Sequence, residues 1–164
     1  MIFLTVGTYP LPFDRLIRQV DHLAGLERLP DEVFAQIGHA TYVPQHLKSV
    51  RMLDKVEFDE TVQNASALIS HAGLGSISIA LEYEKPILVV PRLARLGEVV
   101  NDHQEDTARR FEALGHVLAA VDEEELERKL NVLLSFRPKP RISTPGPVAD
   151  GIGAYLATLV ANRR

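Results

Sequence analysis

A chain of 164 residues with 46% hydrophobic content is long enough to bury one full core, so a single domain is expected. A net charge of −4, with no basic stripe and interleaved aromatics, argues against nucleic acid as a partner, and the absence of cysteine excludes disulfides and thiolate metal sites. No apolar run approaches the roughly 18 residues of a membrane span, and Met1 leads into a strand rather than a basic signal-peptide start, so a soluble, cytoplasmic protein is expected.

Residues 2–6 form an apolar run of buried-strand type, with Gly7 and Thr8 at its end. Phe13, Leu16, Ile17, Val20 and Leu23 then recur at helical spacing after Pro12, a favourable residue at the start of a helix. Residues 32–37 and 50–53 read as weaker strands, followed by a short helix over 59–65. Residues 67–70 are a further apolar strand, a helix starts near Ser76, and Pro86 and Pro91 bound another buried strand. Asn101 to Gln104 opens the next helix, which Gly115 stops. A strand over 117–121 precedes Asp122, which caps a helix carrying Leu126, Leu130, Leu133 and Leu134 on one face; Glu123, Glu124 and Glu125 complement its dipole. Strand and helix in alternation predict an α/β, Rossmann-like parallel sheet with helices on both faces.

On this reading residues 1–136 are the nucleotide-binding domain and 137–149, containing RPKPRISTPGP, a proline-rich linker. Residues 150–164 are an amphipathic helix, with Ile152, Tyr155, Leu156, Leu159 and Val160 on one face. That face either packs on the parent domain or reaches a partner.

The stretch from Ile69 to Gln104 carries the chemistry. Gly73 and Gly75 allow close ligand approach between a strand and a helix, and Ser76 follows where unpartnered N–H groups and the helix dipole attract a diphosphate. His71 either offers an imidazole N–H to a phosphate or is a core histidine bonded to backbone. Arg92 and Arg95 follow the next strand, and Asn101, Asp102, His103 and Gln104 come after them. In an open parallel sheet both clusters face one crevice beyond the strand ends. His22, His39, His46 and His116 lack metal-ligand spacing, and no D-x-D stands at a strand end.

The H-x-G-x-x-S motif from His71 to Ser76, the proline-bounded strand and the His103-Gln104 pair resemble the donor-binding half of family 28 and related GT-B glycosyltransferases. The resemblance extends to the small subunit of two-part exopolysaccharide transferases, and more loosely to the soluble subunit of the eukaryotic two-part enzyme that adds the second N-acetylglucosamine to a dolichol-linked precursor. It implies the fold of the C-terminal half of a GT-B enzyme and a UDP-sugar donor. Gly7 and Thr8 would line the cleft, and His71, Gly73, Gly75 and Ser76 would hold the diphosphate. Arg92 or Arg95 would offset leaving-group charge, and His103 and Gln104 would contact the sugar. Thr8 is equally readable as a turn residue, and His103 and Gln104 as neighbours of capping Asn101 or Asp102.

Many relatives bind the uridine ribose with a glutamate where this chain has Ile79; Glu82 either takes over or is a solvated charge. The resemblance further implies an inverting, metal-independent transfer without cofactor to a polyprenyl-diphosphate-linked acceptor. A membrane-attached acceptor-domain subunit would supply the general base and recruit the chain to the inner face of the cytoplasmic membrane. A non-catalytic nucleotide-sugar-binding regulator remains an alternative. A Rossmann oxidoreductase is disfavoured because Ser78 stands where a third glycine belongs.

Overall fold

The computed structural model describes residues 1–140. Eleven elements follow in order, strand and helix alternating except where β3 follows β2 directly: β1 (Ile2–Thr5), α1 (Asp14–Gly25), β2 (Val33–Gln36), β3 (Lys48–Val50), α2 (Lys55–Asn64), β4 (Ala67–His71), α3 (Leu74–Glu82), β5 (Ile87–Val90), α4 (His103–Ala113), β6 (Leu118–Ala119) and α5 (Glu123–Leu133), with a short 3-10 turn at Ala94–Leu96. The six strands form one sheet in the order β3-β2-β1-β4-β5-β6, parallel throughout. The α/β class, the parallel sheet and the helices on both faces are as the alternation predicts.

Side-chain alternation along the strands divides the core in two. Ile2, Leu4, Ala67, Ile69, Leu88 and Val90 meet Leu16, Ile17, Val20 and Leu23 of α1 and Leu126, Leu130 and Leu133 of α5 on one face. Phe3, Leu68, Ile87 and Val89 meet Val62 of α2, Ile77, Ala80 and Leu81 of α3 and Ala108 of α4 on the other. Phe3 also stacks with Phe34 at 6.1 Å and meets Phe58 edge-on at 5.5 Å. β1 and β5 are therefore buried along their whole length, as strands covered on both faces must be.

Two elements differ from the sequence expectation. The third strand is Lys48–Val50 rather than 50–53, because its pairing with β2 ends at Val50 and the chain then turns out of the sheet. The Leu53 amide leaves the ladder to donate to the Gln36 side chain at 3.0 Å. The following helix begins at Lys55, not near 59, because Asp54 and Glu57 form a reciprocal capping box at its start. Asp122 caps α5 as expected, accepting from the Glu125 amide at 2.8 Å, and Gly115 ends α4 at φ +77°.

The loop between β2 and β3 is tied to α1 by Asp21, whose buried carboxylate accepts from the Tyr42 hydroxyl at 2.5 Å and from the amides of Gln45 and His46. Burial pushes the Asp21 carboxyl up, but these bonds outweigh it and hold it below the ordinary 3.8. Arg137 to Pro140, the start of the expected linker, has no regular structure and is pinned where the Lys139 amide donates to the Gly115 carbonyl at 2.9 Å. The rest of that linker and the expected helix over 150–164 lie outside the described residues. No helix among the described residues is long and apolar enough to cross a membrane.

Candidate functional site

The sheet order reverses between β1 and β4, so the connections leaving these neighbouring strands diverge to opposite faces and open a crevice at their carboxyl ends. A cavity of about 650 Å³ occupies that crevice. Gly7, Thr8, Tyr9 and Pro10 wall it on the β1 side, and His71, Gly75, Ser76 and Ile79 on the α3 side. Gln36 and the residues Leu53, Asp54, Lys55 and Phe58 complete it.

α3 starts at this cavity with Gly73 as its N-cap and no side-chain cap. Its first intrahelical bond is from the Ile77 amide to the Gly73 carbonyl at 3.1 Å, which leaves the N–H groups of Leu74, Gly75 and Ser76 without helical partners. A Cβ built on Gly75 would have no atom within 4 Å, so the helix end is open toward the cavity. Free N–H groups, the positive end of the dipole and an unobstructed approach are the features that attract an anion to a helix end.

The other glycines serve His71 instead. A Cβ on Gly73 would lie 2.3 Å from His71 Nε2, and one on Gly7 would lie 2.6 Å from Cε1. The imidazole is thus sandwiched between two backbone segments that only glycine leaves clear, and Gly7 also has φ +72°. The Ser70 hydroxyl donates to the Thr5 carbonyl at 2.9 Å and stands 3.2 Å from His71 Nδ1. With its one proton committed to Thr5, Ser70 can only accept from Nδ1, which assigns the imidazole proton to Nδ1 and a lone pair to Nε2. Burial, reinforced by the charge of Arg92, pushes the His71 pKa down to about 4. The ring is neutral at pH 7, and a phosphate contact through Nε2 requires that an arriving anion bring a proton there, a change that anionic charge favours.

Arg92 departs from its expected role. Its side chain is 0% exposed. Nη1 donates to the carbonyls of Leu11, Pro12 and Glu98 at 3.0–3.1 Å, and Nη2 to that of Val6 at 3.1 Å, while Phe13 covers the guanidinium at 4.6 Å. With no exposed surface it cannot contact a phosphate directly; it staples the β1–α1 loop to the segment after β5. Glu98 accepts from Arg15 at 2.9 Å and from the Leu93 amide at 3.0 Å. Two guanidiniums therefore stand against one carboxylate, and the cluster beside His71 retains positive charge. Arg95 is exposed on the 3-10 turn.

Glu82 is likewise corrected. It is exposed at the C-terminal end of α3 and does not border the cavity, whereas Ile79 does. Three residues advance the helix by about 4.5 Å along its axis, which carries Glu82 past the rim. Gln104 accepts from the Arg92 amide at 3.1 Å and so binds the start of α4 to the end of β5. His103 is exposed and borders a separate hollow of about 450 Å³ with Leu74, Thr107 and Arg110. Neither His103 nor Gln104 lines the main cavity. Asn101 accepts weakly from the His103 amide at 3.4 Å, and Asp102 turns back to the Ala94 amide at 2.8 Å.

Sequence reasoning missed the far wall. Gln36 is 2% exposed; its Nε2 donates to Thr5 Oγ1 at 3.2 Å and its Oε1 accepts from Leu53, so one side chain joins the ends of β1 and β2 to the loop between β3 and α2. The D-x-x-E pattern at Asp54 was the available signal for α2, whose first residues supply the rest of that wall.

Residues 1–146 match the glycosyltransferase family 28 C-terminal domain. Among curated proteins, the UDP-N-acetylglucosamine transferase subunit ALG13 of Homo sapiens is 36% identical over 125 residues, which is 71% of this chain and 10% of that protein. The subunit of the same name from Eremothecium gossypii is 49% identical over 63 residues, 37% of this chain and 29% of that protein. The chain thus matches only a minor part of the length of either relative. Among solved structures, a solution structure of ALG13 aligns with a TM-score of 0.57 at 20% identity, covering 92% of this chain and 93% of that one. MurG of Acinetobacter baumannii aligns at 0.55 and 15% identity, covering 81% of this chain and 43% of that one. These likenesses place the fold with the C-terminal domains of GT-B glycosyltransferases. By the match over residues 1–146, the chain belongs to the glycosyltransferase family 28 C-terminal domains.

Proposed function

We propose that this chain holds the nucleotide-sugar donor of a two-part, metal-independent, inverting glycosyltransferase. The observation that carries this reading is the uncapped α3 N-terminus, whose free N–H groups open into the crevice of about 650 Å³ at the topological switch point of the sheet. The acceptor hydroxyl attacks the anomeric carbon, the bond to the β-phosphate breaks, and UDP leaves. The developing phosphate charge is met by the N–H groups of Leu74, Gly75 and Ser76, by the helix dipole and by the positive field of the Arg92 cluster. Gly7 and Thr8 line the same cleft, and His103 and Gln104 are assigned to the sugar, which a closed complex would bring against the α4 start. The relatives named as UDP-N-acetylglucosamine transferase subunits make N-acetylglucosamine the favoured sugar.

A general base must take the acceptor proton. The Nε2 edge of His71 is wedged between Gly7 and Gly73, and Asp54 is held at the start of α2 by the Glu57 amide on one carboxylate oxygen, so neither side chain can move to follow an acceptor. The reading therefore assigns the base to a membrane-attached partner subunit that presents a polyprenyl-diphosphate-linked acceptor, in exopolysaccharide or related glycan synthesis, at the cytoplasmic face of the membrane. Gly75→Val tests the donor site: a branched side chain would enter the open space at the helix end and abolish UDP binding in a protein with native circular dichroism. Unchanged UDP affinity in that variant would remove the helix end as the site.

A further inference from the structure

The geometry points to a donor site that does not read the ribose 2′-hydroxyl, so that 2′-deoxyribonucleoside diphosphates enter as readily as ribonucleoside diphosphates. This rests on the placement of the diphosphate at the α3 N-terminus. From there the cavity runs along α3 past Ile79 toward Leu53 and Phe58 at the start of α2. Those apolar walls suit the face of a base, and the pentose, being bonded directly to the phosphate, lies over Ile79, one helical turn beyond Ser76. A sugar hydroxyl buried there meets an alkyl side chain.

Of the polar side chains lining the cavity, Thr8 and Tyr9 stand on the opposite, β1 wall and Ser76 stands at the helix end with the diphosphate, which leaves those on the α2 side. Gln36 is committed to Thr5 and Leu53, and the Lys55 ammonium is paired with Asp59. Asp54 spends one carboxylate oxygen on the Glu57 amide and is exposed on the α2 side, where water competes for the other. A carboxylate set to accept from a pentose hydroxyl in a closed site would favour the ribonucleotide by about tenfold or more. Among the described residues that line the cavity, Asp54 is the only carboxylate, and it stands on the α2 side rather than over Ile79.

Calorimetry on the full chain with UDP, 2′-deoxyuridine diphosphate and inorganic pyrophosphate decides the matter. The expected result is that UDP and its deoxy analogue bind within about threefold of each other. Ile79→Glu, at a half-exposed helical position, should shift that ratio at least about tenfold toward UDP while leaving pyrophosphate affinity near that of the parent chain. A tenfold preference of the unaltered chain for UDP, through Asp54 or any other group, would overturn the inference and leave the diphosphate site standing. A folded Ile79→Glu variant with no new preference would overturn the placement of the pentose. Failure of all three ligands to bind would remove the diphosphate site itself, and the inference with it.

Discussion

His71 and Arg92 are adjacent and of opposite kinds, one a base kept neutral and the other a cation kept dry. The imidazole titrates near 4 in the folded chain against 6.5 in the unfolded one, because burial and then the Arg92 charge both resist its protonation. Between those values the unfolded chain binds more protons, so stability falls as pH drops from 6.5 toward 4. Denaturant unfolding measured across that window should show this slope, and His71→Asn should flatten it. Asp21 has a depressed carboxyl, so the stability it contributes is present above its ordinary 3.8 and is lost as pH falls below that through its folded value. Arg92→Met would leave four backbone carbonyls without their charged donor and should cost about 3 kcal/mol or more in a chemical melt. A loss below 1 kcal/mol would show that the staple contributes little. The sequence left a core histidine open as one reading of His71, but it made Arg92 a cation facing the leaving group, and only the folded loops around it make it a core residue.

At the scale of elements, the glycine turn and α3 were legible because an apolar strand followed at once by two glycines and a serine marks a strand-to-helix turn open to a ligand. Their division of labour was not. Gly75 faces open space while Gly73 makes room for an imidazole, and the distinction depends on where the His71 ring lies. Gly73→Ala should therefore destabilise the fold by about 1–3 kcal/mol through overpacking against the ring, whereas Gly75→Ala should leave the melting temperature nearly unchanged. Equal effects in thermal unfolding would contradict the assignment. The buried strands were readable from their apolar runs, but β3, with Lys48 exposed and the other two residues half-buried, has too little apolar signal to fix its register. α2 buries only Val62 and is specified by its capping box rather than by an apolar stripe, so hydrophobic periodicity shows neither its start nor the cavity wall it forms.

For the whole molecule, the two polar clusters expected at one pocket stand apart. The α3 N-terminus opens into the main cavity, while His103 borders a neighbouring hollow and Gln104 anchors α4 to β5. His103→Ala should then weaken an intact UDP-sugar, or lower turnover with the partner, and leave UDP affinity unchanged; equal losses for both ligands would place the residue at the nucleotide or in the fold. Purified chain should bind UDP yet transfer sugar only when a membrane-attached acceptor subunit is added, and robust transfer by the chain alone would contradict the two-subunit reading. Binding of the donor diphosphate at the α3 N-terminus is open to a UDP titration followed through the backbone amide resonances. The largest shifts are expected at Leu74, Gly75 and Ser76, whose N–H groups lack helical partners; unmoved resonances there, with saturable shifts elsewhere on the chain, would place the diphosphate at another site.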